Sequence, residues 1–261
     1  MAVSISIASG KGGVGKTSIA VNLALSLSSL GTRVMLLDAD FGLANSHLLL
    51  GCKPLKTIRD TINGVSNLNE SITEGPKGLK LISGGNGLIE LLNLNKTTRY
   101  NLIRSFDTLA DKCDIFFIDT PAGASDSTLS FLTASDKVVI VLVGEPTSFM
   151  DAYTLVKAAS IEGNVKEFSV IVNMAENSKH SKEVFSKFKA TVLKFLNVNI
   201  KYIGFLPYSL RLKKSILKRK PLVINDLNSK ETGLFKLMSK ELLSSPNNLP
   251  TGISFFNKSS I

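Results

Sequence analysis

Short apolar segments alternate along this chain with longer stretches in which apolar residues recur at helical spacing. The segments have strand length and little polar alternation, which is typical of strands buried on both faces of a sheet. Strands that alternate with helices usually pair in parallel through crossover connections. The pattern therefore predicts an α/β fold, a doubly wound, mostly parallel sheet with helices on both faces. The predicted strands are residues 3–8, 34–37, 79–82, 115–118, 138–143, 169–172 and 202–206.

The composition favours one soluble domain. Of the 261 residues, 44% are hydrophobic and 20% are charged, and no apolar run is long enough to span a bilayer. The chain enters its first predicted strand directly after its start and has no leader-like segment, so we expect a cytoplasmic location. We expect residues 1–243 to form the folded domain, and the Ser-, Asn- and Pro-rich residues 244–261 to form a mobile tail. The cysteines and histidines lack metal-ligand spacing, and we assign them no chemical role; they are Cys52, Cys113, His47 and His180.

The positive charge is concentrated in one region. The formal net charge is +10, and residues 177–220 contain twelve Lys or Arg and a single acid, Glu183. Within 210–220, basic residues interleave with Leu210, Leu212, Ile216 and Leu217, which predicts a helix with one buried and one solvated side. Three interpretations stay open, because charge alone does not separate them: a solvated surface, a surface for anionic lipid and a surface for nucleic acid.

A phosphate-binding motif follows the first predicted strand. Residues 10–17 read Gly-Lys-Gly-Gly-Val-Gly-Lys-Thr and precede a helix-like stretch, which is the context that such a loop requires. Glycines let backbone amides surround an anion, and the helix adds the positive end of its dipole. We expect Lys16 to reach the terminal phosphates and Thr17 to bind Mg²⁺. The candidate nucleotide-binding residues of this loop are Gly10, Lys11, Gly12, Gly13, Val14, Gly15, Lys16, Thr17 and Ser18.

Carboxylates follow two predicted strands that end near this loop. Asp38 follows strand 34–37 and Asp119 follows strand 115–118. We expect Asp119 to hold the Mg²⁺ shell and Asp38 to share that task. Capping of the next helix is an alternative for either Asp38 or Asp40. Gly123 is a candidate amide donor to the terminal phosphate, or else an ordinary turn glycine.

The segment from Lys11 to Thr17 resembles the deviant Walker A motif of the MinD/ParA ATPases. This resemblance implies that Lys11 reaches the nucleotide of a facing subunit, so that ATP holds a homodimer together. It also implies a slow, partner-stimulated ATPase using ATP, ADP and Mg²⁺, in which Asp40 orients or activates the attacking water. Asn173 and Pro207, which end two predicted strands, match the positions that contact adenine in MinD-like proteins. The acidic residue expected just after Pro207 is replaced by Tyr208 and Ser209.

Four further segments resemble the flagellar-number regulators of the FlhG group, also called FleN or YlxH. They are residues 38–51, 74–85, 145–153 and 172–185. The resemblance implies control of flagellar number or placement by dimers that associate with the membrane. It also implies partners such as an FlhF-like GTPase, flagellar switch components or a transcriptional activator. The alternative is DNA segregation of the ParA type or division-site positioning of the MinD type.

The two ends of the chain differ from the usual pattern of this group. The chain starts at its first predicted strand, so we expect no N-terminal extension of the kind that stimulates the GTPase. Residues 252–261 resemble the terminal amphipathic membrane helix of the group, with Ile253, Phe256 and Ile261 on one side. Such a short apolar side is expected to bind membranes weakly and reversibly.

Overall fold

The computed structural model describes residues 2–41, 44–85, 95–249 and 252–256. Its strands form one sheet with the order β3-β4-β2-β5-β1-β6-β7-β8. Adjacent strands are parallel except for β3 and β4. The doubly wound, mostly parallel sheet predicted from the sequence is confirmed. The strands are β1 (Val3–Ala8), β2 (Val34–Asp38), β3 (Ile72–Glu74), β4 (Lys80–Ile82), β5 (Ile115–Asp119), β6 (Lys137–Val143), β7 (Glu167–Ala175) and β8 (Asn199–Pro207).

Helices cover both faces of this sheet. Short 3-10 turns at Leu68–Ser71, Pro76–Gly78 and Phe106–Leu109 complete the connections. The α-helices are α1 (Lys16–Ser28), α2 (Ser46–Leu50), α3 (Ile58–Ile62), α4 (Lys96–Ser105), α5 (Asp126–Ala134), α6 (Pro146–Glu162), α7 (Ser178–Phe195), α8 (Leu210–Leu217), α9 (Leu222–Asn225) and α10 (Lys230–Leu243). No helix in the described ranges is long and apolar enough to cross a membrane.

The alternation of side chains along each strand divides the core between the two faces. Phe117 of β5 packs into the cluster built around α1 and α10, while its neighbour Phe116 packs into the cluster on the opposite face. Both side chains are buried, as are all residues of β5 and β6. This double burial explains why the apolar runs in these strands are continuous.

The strand β3 has no counterpart among the sequence predictions. It contains only Ile72, Thr73 and Glu74 and pairs antiparallel with β4 at the edge of the sheet. An edge strand of this length needs only one partner and buries little surface, so it leaves no apolar run in the sequence.

Within the segment expected to form a mobile tail, several of the described residues are buried against the domain. Asn248 crosses the amino ends of β6 and β7, where its backbone N–H donates to the Asp136 carbonyl at 2.6 Å. Its side-chain oxygen accepts from the backbone N–H groups of Lys166 and Glu167, at 2.9 and 2.8 Å. Asn248 thus forms hydrogen bonds with backbone groups at the starts of β6 and β7, which would otherwise be bonded to water.

Two aromatic residues fix the end of the described chain. Phe255 and Phe256, described among residues 252–256, are buried against Phe116, and Phe255 also packs against Phe106 and Phe131. The Phe255 N–H donates to the Ala134 carbonyl at 3.2 Å. Sequence composition missed this packing because polar residues surround the two aromatics. Ile261, also assigned to the membrane-facing side, lies outside the described residues.

Candidate nucleotide-binding site

The phosphate-binding loop leaves β1 near the centre of the sheet, between β5 and β6. It joins directly to α1, which begins at Lys16, so the amino end of α1 points at the loop. The loop lines a cavity of about 660 Å³ beyond the carboxyl ends of the strands. Ligands in open α/β sheets bind in such a crevice.

Lys16 and Asp119 form a buried ion pair at the base of this cavity. The Lys16 Nζ lies 2.7 Å from the Asp119 Oδ1, and both side chains are almost completely buried. The pair forms because β1 and β5 are neighbours, with Ile7 in register with Asp119. Burial removes water from both charges, so each depends on the other for compensation.

Beside the phosphate-binding loop, the Asp119 Oδ2 and the Ser18 Oγ are buried without a hydrogen-bond partner. Buried polar atoms without a partner are uncommon, and they mark where a ligand or ion fits. Asp119 carries an oxygen suited to a hydrated Mg²⁺, and Thr17 lines the same cavity. Mg²⁺ at nucleotide sites binds one or two protein side chains together with substrate phosphates. The residues present therefore fit a Mg²⁺–nucleotide ligand.

Asp38 uses its carboxylate to organise the loop that follows β2. Its oxygens accept hydrogen bonds from the backbone N–H groups of Asp40, Asn45 and Ser46, at 3.3, 2.9 and 2.8 Å. Burial, together with the charge of Asp119, raises the pKa of the Asp38 carboxyl to about 7. These contacts favour the helix-capping interpretation, because they hold the amino end of α2. The metal-binding role stays a prediction.

Asp40 lies at the surface of the cavity, whereas Gly123 is not among its lining residues. Asp40 lines it, as does the neighbouring Ala122. The Gly123 N–H instead donates to the Ser9 carbonyl at 2.9 Å, so it already has a partner. This contact, made where the loop after β5 folds back onto the loop after β1, favours the turn-glycine interpretation. The phosphate contact of the Gly123 amide stays a prediction.

Lys11 lies on the rim and does not line the cavity of its own chain. Its Nζ is 3.4 Å from the Glu145 Oε2 and 3.2 Å from the Thr147 Oγ1. Glu145 and Thr147 were singled out from the sequence only as family-like residues, with no contact to the loop. The contact arises from the sheet order, which brings the start of α6 beside the loop after β1.

A second cavity of about 290 Å³ adjoins the first and contains the residues predicted to contact adenine. Asn173 and Pro207 both line it. The buried Asn173 side chain donates from Nδ2 to the Val14 carbonyl at 2.7 Å. This bond leaves its side-chain oxygen to accept from an amino group. Ser209 donates to Glu231 of α10 at 2.5 Å, so an acidic side chain reaches the loop after Pro207 from elsewhere in the chain.

Gly15 shows why this loop needs glycine. Its φ is +87°, which side chains rarely adopt, and an added Cβ would lie 2.4 Å from the Asn173 Nδ2. Any larger residue would displace the bond that joins β7 to the loop. Gly15 and Asn173 therefore form one packed unit.

The helix α8 is packed differently from the sequence prediction. Leu212 is buried as expected, but Leu210, Ile216 and Leu217 are exposed. Ile216 and Leu217, with Arg219 just after the helix, form a wall of the first cavity. No sequence pattern predicts this wall, because it depends on how the segment after β8 folds back over the loop.

Comparison with known proteins gives consistent relationships. A family model described as "ParA: NUBPL iron-transfer P-loop NTPase" matches residues 1–243. The chain is 37% identical over 242 residues to the antiactivator FleN of Pseudomonas aeruginosa, covering 93% of this chain and 86% of that protein. It is 36% identical over 217 residues to the flagellum site-determining protein YlxH of Helicobacter pylori, covering 83% and 73%.

The fold also resembles that of solved structures. The septum site-determining protein MinD from Pyrococcus horikoshii, in complex with Mg-ADP, superposes with a TM-score of 0.76 at 23% sequence identity. The match covers 92% of this chain and 96% of that one. At this identity the match shows the fold, a P-loop NTPase sheet with its helices.

Proposed function

Because this chain belongs to the ParA/MinD family of P-loop NTPases, we propose that it is an ATP-dependent dimerisation switch that regulates flagellar number or placement. The observation that carries the flagellar assignment is the extended similarity to FleN and YlxH, whose names describe an antiactivator and a flagellum site-determining protein. The site geometry supports the switch.

The substrate in this proposal is ATP, with ADP as a product. The P-loop amides and Lys16 would hold the phosphates, and Ser18 would donate to one of them. Thr17 and Asp119 would hold Mg²⁺, which neutralises charge on the phosphates. The Mg-ADP in the Pyrococcus horikoshii MinD supports this choice of ligand. Lys16 would then exchange part of its interaction with Asp119 for phosphate oxygens.

Asp40 is the proposed hydrolytic residue, because it lines the phosphate cavity on the side of the loop after β2. It would orient the attacking water and accept its proton. The Asp40→Ala variant should bind ATP normally and release phosphate far more slowly than wild type. An unchanged rate of phosphate release would remove Asp40 from the mechanism.

Lys11 is the proposed intersubunit residue. Its position on the rim, outside the cavity of its own chain, supports a reach towards the nucleotide of a second copy. To make that contact, Lys11 would leave Glu145 and Thr147, which hold it in the monomer. The loss is small, because the ion pair is exposed and such pairs contribute about 0.2–1 kcal/mol.

Membrane and protein partners complete the proposal. The dimer would act on an FlhF-like GTPase or flagellar switch components and would return to the cytoplasm after hydrolysis. Reversible contact with an anionic membrane through residues 244–261 would require Phe255 and Phe256 to leave the core. That exchange moves apolar rings from one apolar environment to another, so its cost is mainly lost packing.

The flagellar assignment is tested in the organism that encodes this chain. Deletion of the gene should change the number or position of flagella counted by electron microscopy. The wild-type gene should restore the pattern, and a gene encoding Lys16→Ala should not. Cells that keep a normal number and placement of flagella after deletion would contradict the proposed function.

A further inference from the structure

The lining of the phosphate cavity contains a second cation besides Lys16. Arg219 follows α8 and lines the phosphate cavity together with Ile216 and Leu217. Lys16 is the other cation of this lining, and its charge is compensated by Asp119. Within the described residues, Arg219 has no carboxylate within 4 Å.

The backbone at Arg219 adopts a conformation that favours glycine. Its φ is +53°. The Arg219 N–H donates to the Ile216 carbonyl and the Lys220 N–H to the Ser215 carbonyl, both at 3.0 Å. This is the Schellman ending of a helix, with Arg219 at the position that glycine usually occupies. An arginine at this position carries a cost in backbone strain that glycine would avoid. A role for the Arg219 side chain would explain why arginine is present there.

Arg219 lies close enough to α2 for its charge to act on a residue of that helix. Burial and the positive charge of Arg219 lower the pKa of His47 in α2, next to Leu48 and Leu49 of the cavity lining. The backbone of Arg219 is also close to the turn after α2, because a Cβ added to Gly51 would lie 3.4 Å from the Arg219 carbonyl oxygen. Arg219 therefore lies between α8 and α2, at the edge of the cavity that the P-loop faces.

We propose that Arg219 is a nucleotide-binding residue, whose guanidinium pairs with the phosphates of a nucleoside triphosphate held by the P-loop of the same chain. The planar guanidinium suits bidentate pairing with phosphate oxygens. Because Lys16 is shared with Asp119, Arg219 supplies positive charge that the triphosphate otherwise lacks on this side. This inference rests on the proposed function, in which the P-loop binds ATP.

The test uses Arg219→Gly, which removes the charge and relieves the backbone. Affinity for ATP is measured by calorimetric titration with Mg²⁺, and thermal unfolding is recorded without nucleotide. We expect the ATP affinity to fall about tenfold to a hundredfold, as for loss of a hydrogen bond between charged groups. We expect the unfolding temperature without nucleotide to stay equal or rise, because glycine suits this position.

Two controls separate the proposal from general charge effects and from the proposed function. Lys218→Ala removes a neighbouring charge that does not line the cavity, and it should leave ATP affinity within about twofold of wild type. Arg219→Gly binding ATP as tightly as wild type, or no more weakly than Lys218→Ala, would overturn the proposal. If Lys16→Ala also binds ATP like wild type, the P-loop is not the ATP site, and the proposed function is contradicted instead of the role of Arg219 alone.

Discussion

Removal of the Phe255 ring should destabilise the protein strongly, although polar residues surround this position in the sequence. Its side chain is 0% exposed, and its ring centroid lies 5.7 Å from that of Phe106, 5.4 Å from Phe116 and 6.1 Å from Phe131. Truncation of a buried phenylalanine to alanine typically costs about 3–5 kcal/mol. We expect the lower part of this range, about 3 kcal/mol, if the surrounding aromatic rings relax partly into the space that the Phe255 ring leaves.

The measurement is urea unfolding of Phe255→Ala and wild type, followed by far-UV circular dichroism. At about 3 kcal/mol, the variant should also unfold roughly 6–12 °C below wild type on heating, from the usual dependence of unfolding temperature on stability in chains of this size. Leu249→Ala is the matched control, since Leu249 belongs to the same segment and is 86% exposed. It should change stability by less than about 0.5 kcal/mol.

The packing of the segment after Leu243 would be refuted by either of two results. One is a Phe255→Ala variant whose stability lies within about 0.5 kcal/mol of wild type. The other is an equal loss in Phe255→Ala and Leu249→Ala, which would mean that the segment contributes through its presence and not through the buried ring.

Three further predictions concern the site. Lys11→Ala should bind ATP like wild type but fail to dimerise in light-scattering chromatography; a normal ATP-dependent dimer would exclude an intersubunit role. Gly15→Ala should reduce ATP affinity in calorimetry by at least about tenfold, because its Cβ would lie 2.4 Å from the Asn173 Nδ2 and break a hydrogen bond to the loop; wild-type affinity would contradict this coupling. Asp119→Ala should lower the free energy of unfolding in urea by about 3–5 kcal/mol, because Lys16 would stay buried without a partner. The same variant should bind ATP without dependence on Mg²⁺. Wild-type stability together with Mg²⁺-dependent ATP binding would contradict the roles assigned to Asp119.

The sequence predicted those parts of the fold that depend on contiguous residues. The apolar runs of β5 and β6 are buried on both faces, so burial left a direct trace in the sequence. The P-loop is likewise a single segment between a strand and a helix. The short strand β3 left no such trace, because it pairs on one side only.

Features that depend on distant segments could not be predicted in this way. The burial of Phe255 depends on Phe106, Phe116 and Phe131, which come from three separate elements. The exposure of Leu217 depends on a cavity formed between α8 and the P-loop. In both cases the packing of a hydrophobic residue depends on residues that are distant in the sequence. Local periodicity carries no information about such neighbours.

The candidate site shows the same division. Lys16, Thr17 and Asp119 were predicted from motif and strand ends. In the structure Lys16 and Thr17 line one cavity, and Asp119 forms an ion pair with Lys16. The Gly123 amide was assigned to a phosphate because the residue follows a strand end. Its partner in the structure, the Ser9 carbonyl, depends on the way two loops fold together and favours the alternative of a turn glycine.

The most direct test of the switch is the oligomeric state measured by light-scattering chromatography with ADP, with ATP and with ATP plus Mg²⁺, for wild type and Asp40→Ala. We expect a monomer with ADP and a dimer with ATP plus Mg²⁺ that persists in Asp40→Ala. A monomer in every condition for both proteins would contradict it.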